Sequence, residues 1–119
     1  MNAPAPGGAY AQGVRVGRIL YTAGLGPQDP VTRQVVGEEI AAQTEQVMRN
    51  LQAVLQAGGA SLGDVIKTTV HLRHLQRDFA GFNRVYQGFF QPPYPARTTV
   101  GSDLLGILVE IDAMAVLPE

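Results

Sequence analysis

The 119-residue chain contains no cysteine and no tryptophan, and only 16% of its residues are charged. The absence of cysteine excludes disulfides, thiolate nucleophiles, zinc ribbons and iron–sulfur clusters. A net charge of −1 offers no general attraction for nucleic acid or an anionic membrane, and no basic-aromatic patch offsets it. No apolar run approaches the roughly 20 residues that span a bilayer. Met1 to Gln12, rich in Ala, Pro and Gly, lacks the basic start and apolar centre of a signal peptide. A cytoplasmic protein without membrane or nucleic-acid partners is the expectation.

Several chemical signatures are missing too. Gly24-Leu-Gly26 extends into neither GxGxxG nor GxxxxGK(S/T), so no phosphate loop is present. No serine sits in a GxSxG elbow. The two histidines, His71 and His74, have no nearby carboxylate in sequence, and His71 falls on an expected strand, so no metal site is assigned. Lys67, the only lysine, flanks a strand between polar neighbours and reads as solvated, not as a Schiff-base nucleophile.

What is there is one domain's worth of patterned chain, with 45% hydrophobic residues. Val14 to Val16 and Ile19 to Ala23 flank Gly17-Arg18 and read as a hairpin. Gly24 to Gly37 is a loop. From Glu38 to Ala57 a helical stripe carries Ile40, Val47, Leu51, Val54 and Leu55, with Glu39, Gln43, Gln46 and Arg49 off it. Ser61 to Asp64 has capping-box spacing. Val65 to Leu72 is a strand in which Ile66, Thr68, Val70 and Leu72 share one face. A second helix is expected from Phe79 to Phe90, ended by Pro92-Pro93. Strands near Ala96 to Gly101 and Leu108 to Val116 close the chain.

The order β-β-α-β-α-β-β predicts an α+β fold with both helices on one face of a sheet. On the last strand Val109, Ile111, Ala113 and Ala115 suit a core. The opposite row, Leu108, Glu110, Asp112, Met114 and Val116, is too apolar for water and too acidic for a closed core. A homo-oligomer that covers this face but leaves a wet cleft reconciles the two.

Two segments remain that carry chemistry. Tyr94 to Val100 (YPARTTV) places Arg97 at the start of one strand, and Val109 to Ala115 (VEIDAMA) places Glu110 within the next. Their guanidinium and carboxylate are positioned to face each other across neighbouring strands. Composition alone favours a structural salt bridge. Asp112 beside Glu110 gives two acids for one arginine, and arginine's planar fork matches a ligand carboxylate, so a site for a small carboxylate and a water is the second reading.

At these residues the chain resembles the RidA/YjgF family of enamine/imine deaminases, over nearly its whole length. The segments are Gly8 to Gln12 (GAYAQ), Leu20 to Gly24 (LYTAG), Gln43 to Leu51, Ala60 to Leu62 and Val65 to Val70 (VIKTTV). Phe82 to Tyr86 (FNRVY), Phe89-Phe90, Tyr94 to Arg97 (YPAR) and Val109 to Ile111 (VEI) continue the likeness in order. The resemblance implies a chorismate-mutase-like α+β fold, a mixed sheet in a single domain over 1–119, and a homotrimer with sites at subunit interfaces. It implies hydrolysis, without a cofactor, of 2-aminoacrylate or 2-iminopropanoate-type intermediates to 2-oxo acids and ammonia. Arg97 would clamp the substrate carboxylate and Glu110 would hold the attacking water. Tyr10, Gly24, Asn83 and Thr99 would line the substrate, with residues 1–12 as a flexible segment reaching the site. The family also includes proteins described as RNA-cleaving translation inhibitors, and small-ligand-binding or regulatory members are a further alternative. The chain departs from the pattern at Ala9, Ala11 and Ala23, which replace a proline and two serines, and at Thr99, where cysteine is frequent. The loop between Arg97 and Glu110 is two residues shorter than in the best-studied branch.

Overall fold

In the computed structural model, which describes residues 10–119, the chain runs β1 (Gly13–Val16), β2 (Ile19–Thr22), α1 (Ile40–Ala57) and a 3-10 turn (Leu62–Asp64). It continues through β3 (Val65–Leu72), α2 (Leu75–Gln87), β4 (Ala96–Gly101) and β5 (Val109–Val116). The part of the N-terminal expectation that concerns residues 1–9 lies outside the described residues. Gly17, with φ of +60°, takes the first position of the two-residue turn that joins β1 to β2, where a left-handed φ favours glycine. Ser61 and Asp64 form the expected capping box.

The sheet order is β1-β2-β5-β3-β4, with β3 and β4 parallel and the other pairs antiparallel. Both helices cover one face. Val109, Ile111, Ala113 and Ala115 are buried there, as their alternation predicts, with Val47, Leu51 and Leu55 of α1 and Phe82 of α2 in the same core. The other face has no covering element among the described residues, and Val14, Val16 and Tyr21 lie exposed on its flank. No helix of the described residues is long and apolar enough to cross a membrane.

Three expectations needed correction. Helix α2 begins four residues before Phe79 and ends at Gln87, with Gly88 capping it through backbone bonds to Tyr86 and Val85. The recurrence of aromatics at Phe82, Tyr86 and Phe90 imitates another helical turn. Phe90 still stacks on Tyr86, with centroids 4.9 Å apart, although the chain has left the helix. In β3, a register irregularity between Val65 and Lys67 turns Val65 into the core and leaves Ile66 exposed, against the simple alternation.

Gln43 and Asn50, polar and absent from the apolar stripe, are buried. Gln43 donates from Nε2 to the Gly37 carbonyl (3.0 Å) and accepts the Leu108 N–H at Oε1 (2.9 Å), tying the entry of β5 to α1. Asn50 donates from Nδ2 to the carbonyls of Gly26 (3.0 Å) and Gln28 (2.8 Å), and its Oδ1 accepts from Gln46. A polar residue on the core side is stable when its groups are satisfied this fully. Asn50→Leu leaves two loop carbonyls without their donor, and a loss of about 2–3 kcal/mol in denaturant unfolding is expected. A loss below about 0.5 kcal/mol would mean that the loop is held by other contacts.

Candidate functional site

Arg97 sits one residue into β4, and its register partner is Thr68, whose side chain is buried under the helices. Its guanidinium therefore lies on the helix side of the sheet. The carbon Cζ is 4.9 Å from the Tyr86 ring centroid, 5.5 Å from Phe82 and 5.6 Å from Phe79. Nη1 donates to Asn83 Oδ1 at 2.7 Å, while Nη2 and Nε have no hydrogen-bond partner among the described residues. The cation is thus stacked, oriented and still half-open. Burial pushes the Tyr86 phenol above its usual pKa, opposed by its hydrogen bond to Thr68 (2.8 Å) and by the charge of Arg97. Asn83, Tyr86, Gln87, Tyr94, Pro95 and Arg97 line a cleft of about 350 Å³. Thr99, two residues on along β4, has a buried hydroxyl with no hydrogen-bond partner among the described residues.

Glu110 is elsewhere. Its β5 neighbours Val109 and Ile111 point into the core, so its carboxylate projects from the open face. Strand β3 separates β5 from β4, with Glu110 in register with His71 and, beyond it, Val100. Arg97 and Glu110 of one chain therefore occupy opposite faces of the sheet, on strands that are not neighbours. This corrects both readings of the pair within a chain: they form neither a salt bridge nor one receptacle. The ion pairs among the described residues are Arg18–Glu119, Arg49–Glu45 and Arg77–Asp78.

The other candidates divide between the two locations. Asn83 and Thr99 belong with Arg97. Gly24 belongs with Glu110: a Cβ on Gly24 would stand 2.6 Å from Glu110 Oε1. Gly24 is thus needed for room beside the carboxylate. The Gln12 carbonyl accepts the Ala23 N–H at 2.8 Å, which brings the segment behind exposed Tyr10 alongside Gly24. Gly24→Ala forces the flexible end of Glu110 aside. We expect a stability change within about 1 kcal/mol but a clear loss of any activity that uses the carboxylate; equal losses of both would assign Gly24 to folding alone.

Two roles were not visible in sequence. Tyr86 supplies the ring nearest Arg97, although its spacing marks it only as a core aromatic. Asn50 fixes the loop after Gly24, and no spacing signal announces it.

A family model described as Endoribonuclease L-PSP matches residues 1–117. A protein of Salmonella typhimurium named 2-iminobutanoate/2-iminopropanoate deaminase is 41% identical over 97% of this chain and 92% of its own length. The crystal structure of RidA from a Psychrobacter species superposes with a TM-score of 0.92 at 40% identity, covering 98% of this chain and 94% of that one. The chain belongs to the RidA/YjgF family. The fold implied by the resemblance, two helices on a mixed five-stranded sheet, is that of these RidA relatives. The family's names are not uniform in activity. A relative from Pyrococcus horikoshii, 45% identical over 96% of this chain and 91% of its own length, is named only as a RutC family protein.

Proposed function

We propose that this RidA-family chain hydrolyses 2-aminoacrylate and 2-iminopropanoate-type intermediates to 2-oxo acids and ammonia, without a cofactor, in the cytoplasm. The observation that carries this reading is the arginine at the cleft. Arg97 is oriented by Asn83 and three rings, yet keeps two nitrogens available, the fork that a substrate carboxylate fits. The deaminase name of the Salmonella relative supports the substrate class.

Because Arg97 and Glu110 occupy opposite faces of one chain, the site is completed between copies, in the homotrimer that the resemblance implies. Arg97 of one chain holds the carboxylate, with the Thr99 hydroxyl beside it. Glu110 of another holds the water, with Gly24 giving it space and Tyr10 closing the cleft. The water oxygen bonds to the imine carbon while its proton passes to Glu110. The C=N electron pair moves onto nitrogen, which takes up a proton. That proton is the water's own, returned by Glu110; the remaining hydroxyl proton then passes through Glu110 to the amine as the carbonyl forms, the carbon–nitrogen bond breaks and ammonia leaves. Imines hydrolyse unaided in water, so orientation and modest electrostatics suffice.

The test couples the purified protein to a serine dehydratase and follows pyruvate release. Acceleration above the spontaneous rate is expected. Tight binding of a 2-oxo acid without acceleration would support a ligand-binding or regulatory protein instead. RNA cleavage, suggested by the description of the family model, draws no general electrostatic support from a net charge of −1.

A further inference from the structure

The open face of the sheet carries charge in its middle. β3 presents Lys67 and His71 there, and β5 presents Glu110 and Asp112: two bases and two acids. Both bases lean toward β4. Lys67 Nζ donates to Thr98 Oγ1 at 2.6 Å, and His71 Nδ1 shares a hydrogen bond of 2.7 Å with Ser102 Oγ. Glu110 leans the other way, toward Gly24. Asp112 is left between them. It is in register with Thr69, diagonal to Lys67 and His71, and makes neither a hydrogen bond nor an ion pair among the described residues. Burial already pushes its carboxyl above the usual carboxylate range, against the opposing charges of His71 and Lys67.

The charged middle of the face is flanked by exposed apolar residues, Val14, Val16 and Tyr21 on β1 and β2 and Val100 on β4. An apolar partner that covered it would strand the Asp112 carboxylate, and a buried charge without a partner is strongly unfavourable. A covering surface that brings a cation avoids this cost. A second copy of the same face brings one in Lys67, whose present hydroxyl partner is exposed and easily exchanged. The face is self-complementary in charge as well as apolar.

We infer that Lys67 of one chain pairs with Asp112 of a neighbouring chain in the assembled protein, and that this pair selects like chains over other apolar surfaces. The inference rests on the assembly reading given above. It adds the contact that makes association specific, since unmatched partners meet an unpaired charge.

Sedimentation velocity tests it. Wild type is expected to be oligomeric at micromolar concentration. Lys67→Asp and Asp112→Lys, each alone, place like charges together at the interface and are expected to run as monomers with native circular dichroism. A chain carrying both substitutions restores opposite charges at every interface, in reversed order, and is expected to assemble. An equimolar mixture of the two single variants is expected to assemble in part. There the acid introduced at position 67 of one chain meets the base introduced at position 112 of the other, but a ring of three keeps one unmatched interface. Assembly of either single variant at wild-type strength would overturn the inference. So would a doubly substituted chain that folds yet stays monomeric, or a mixture with no more assembly than its parents. If a reversed variant does not fold, Lys67→Met and Asp112→Asn decide. Each is expected to weaken association about tenfold, and the double variant by less than the product of the two, as for a coupled charge pair. Independent, multiplying effects would overturn the pairing. A monomeric wild type would instead remove the assembly reading itself, and deamination assays would judge the activity separately.

Discussion

Replacing Arg97 with alanine is expected to reduce kcat/KM for 2-iminopropanoate hydrolysis by roughly a hundredfold or more, measured above the spontaneous rate. Two hydrogen bonds between charged partners at about 1.5 kcal/mol each already amount to about 3 kcal/mol, and one decade in rate is about 1.4 kcal/mol. Arg97→Lys is expected to fall nearly as far. A lysine keeps the charge but loses the fork that serves Asn83 and the substrate together, and the flat group that lies over Tyr86 and Phe82. Removing the guanidinium also costs fold stability, about 1 kcal/mol for a cation over aromatic rings. Thermal unfolding of each variant separates that cost from the kinetic one. Arg97→Ala that hydrolyses imines at the wild-type rate would sink the carboxylate-clamp assignment.

How far the site was legible in sequence depends on the element. Strand β5 was readable because one of its two rows is wholly apolar, and β3 because Thr68, Val70 and Leu72 share one side, although Val65 and Ile66 depart from that alternation. The row of Val109, Ile111, Ala113 and Ala115 identifies the core face of β5 without any structure. β4 has no such contrast. Arg97 and Thr99 on one side, Thr98 and Val100 on the other, do not say which side meets the helices, and Arg97 proved to be on the helix side. Strand order was equally hidden. β4 and β5 follow each other in sequence, yet β3 lies between them, because the parallel crossover through α2 places β4 beyond β3. Those two unknowns turned an expected facing pair into groups on opposite faces. The buried amides of Gln43 and Asn50 stayed out of view for another reason: a polar residue is assigned to solvent by periodicity, and only tertiary partners at Gly26, Gln28, Gly37 and Leu108 justify burying it.

The placement of Glu110 leads to the second large effect. Glu110→Gln is expected to lower turnover by about 10²- to 10⁴-fold, the range for removal of a positioned acid–base group. Binding of a 2-oxo acid is expected to stay within about threefold, because the amide has the same shape and the space beside Gly24 still accepts it. Calorimetry with pyruvate and the coupled assay measure the two quantities. Equal losses of both would give Glu110 a structural role. The opposite-face geometry then supplies a sharper test than either variant alone. If each site takes Arg97 from one chain and Glu110 from another, Arg97→Ala and Glu110→Gln chains lack different halves. Mixed assemblies regain intact sites wherever an unmodified Arg97 meets an unmodified Glu110, about a quarter of the interfaces under random exchange between equivalent positions. Activity of the exchanged mixture is therefore expected to rise well above that of either parent, toward that fraction of wild type. Should mass spectrometry show that isotope-labelled chains have exchanged while activity stays at the parental level, Arg97 and Glu110 do not serve one site. The shared-site model would then fail even if each residue is needed.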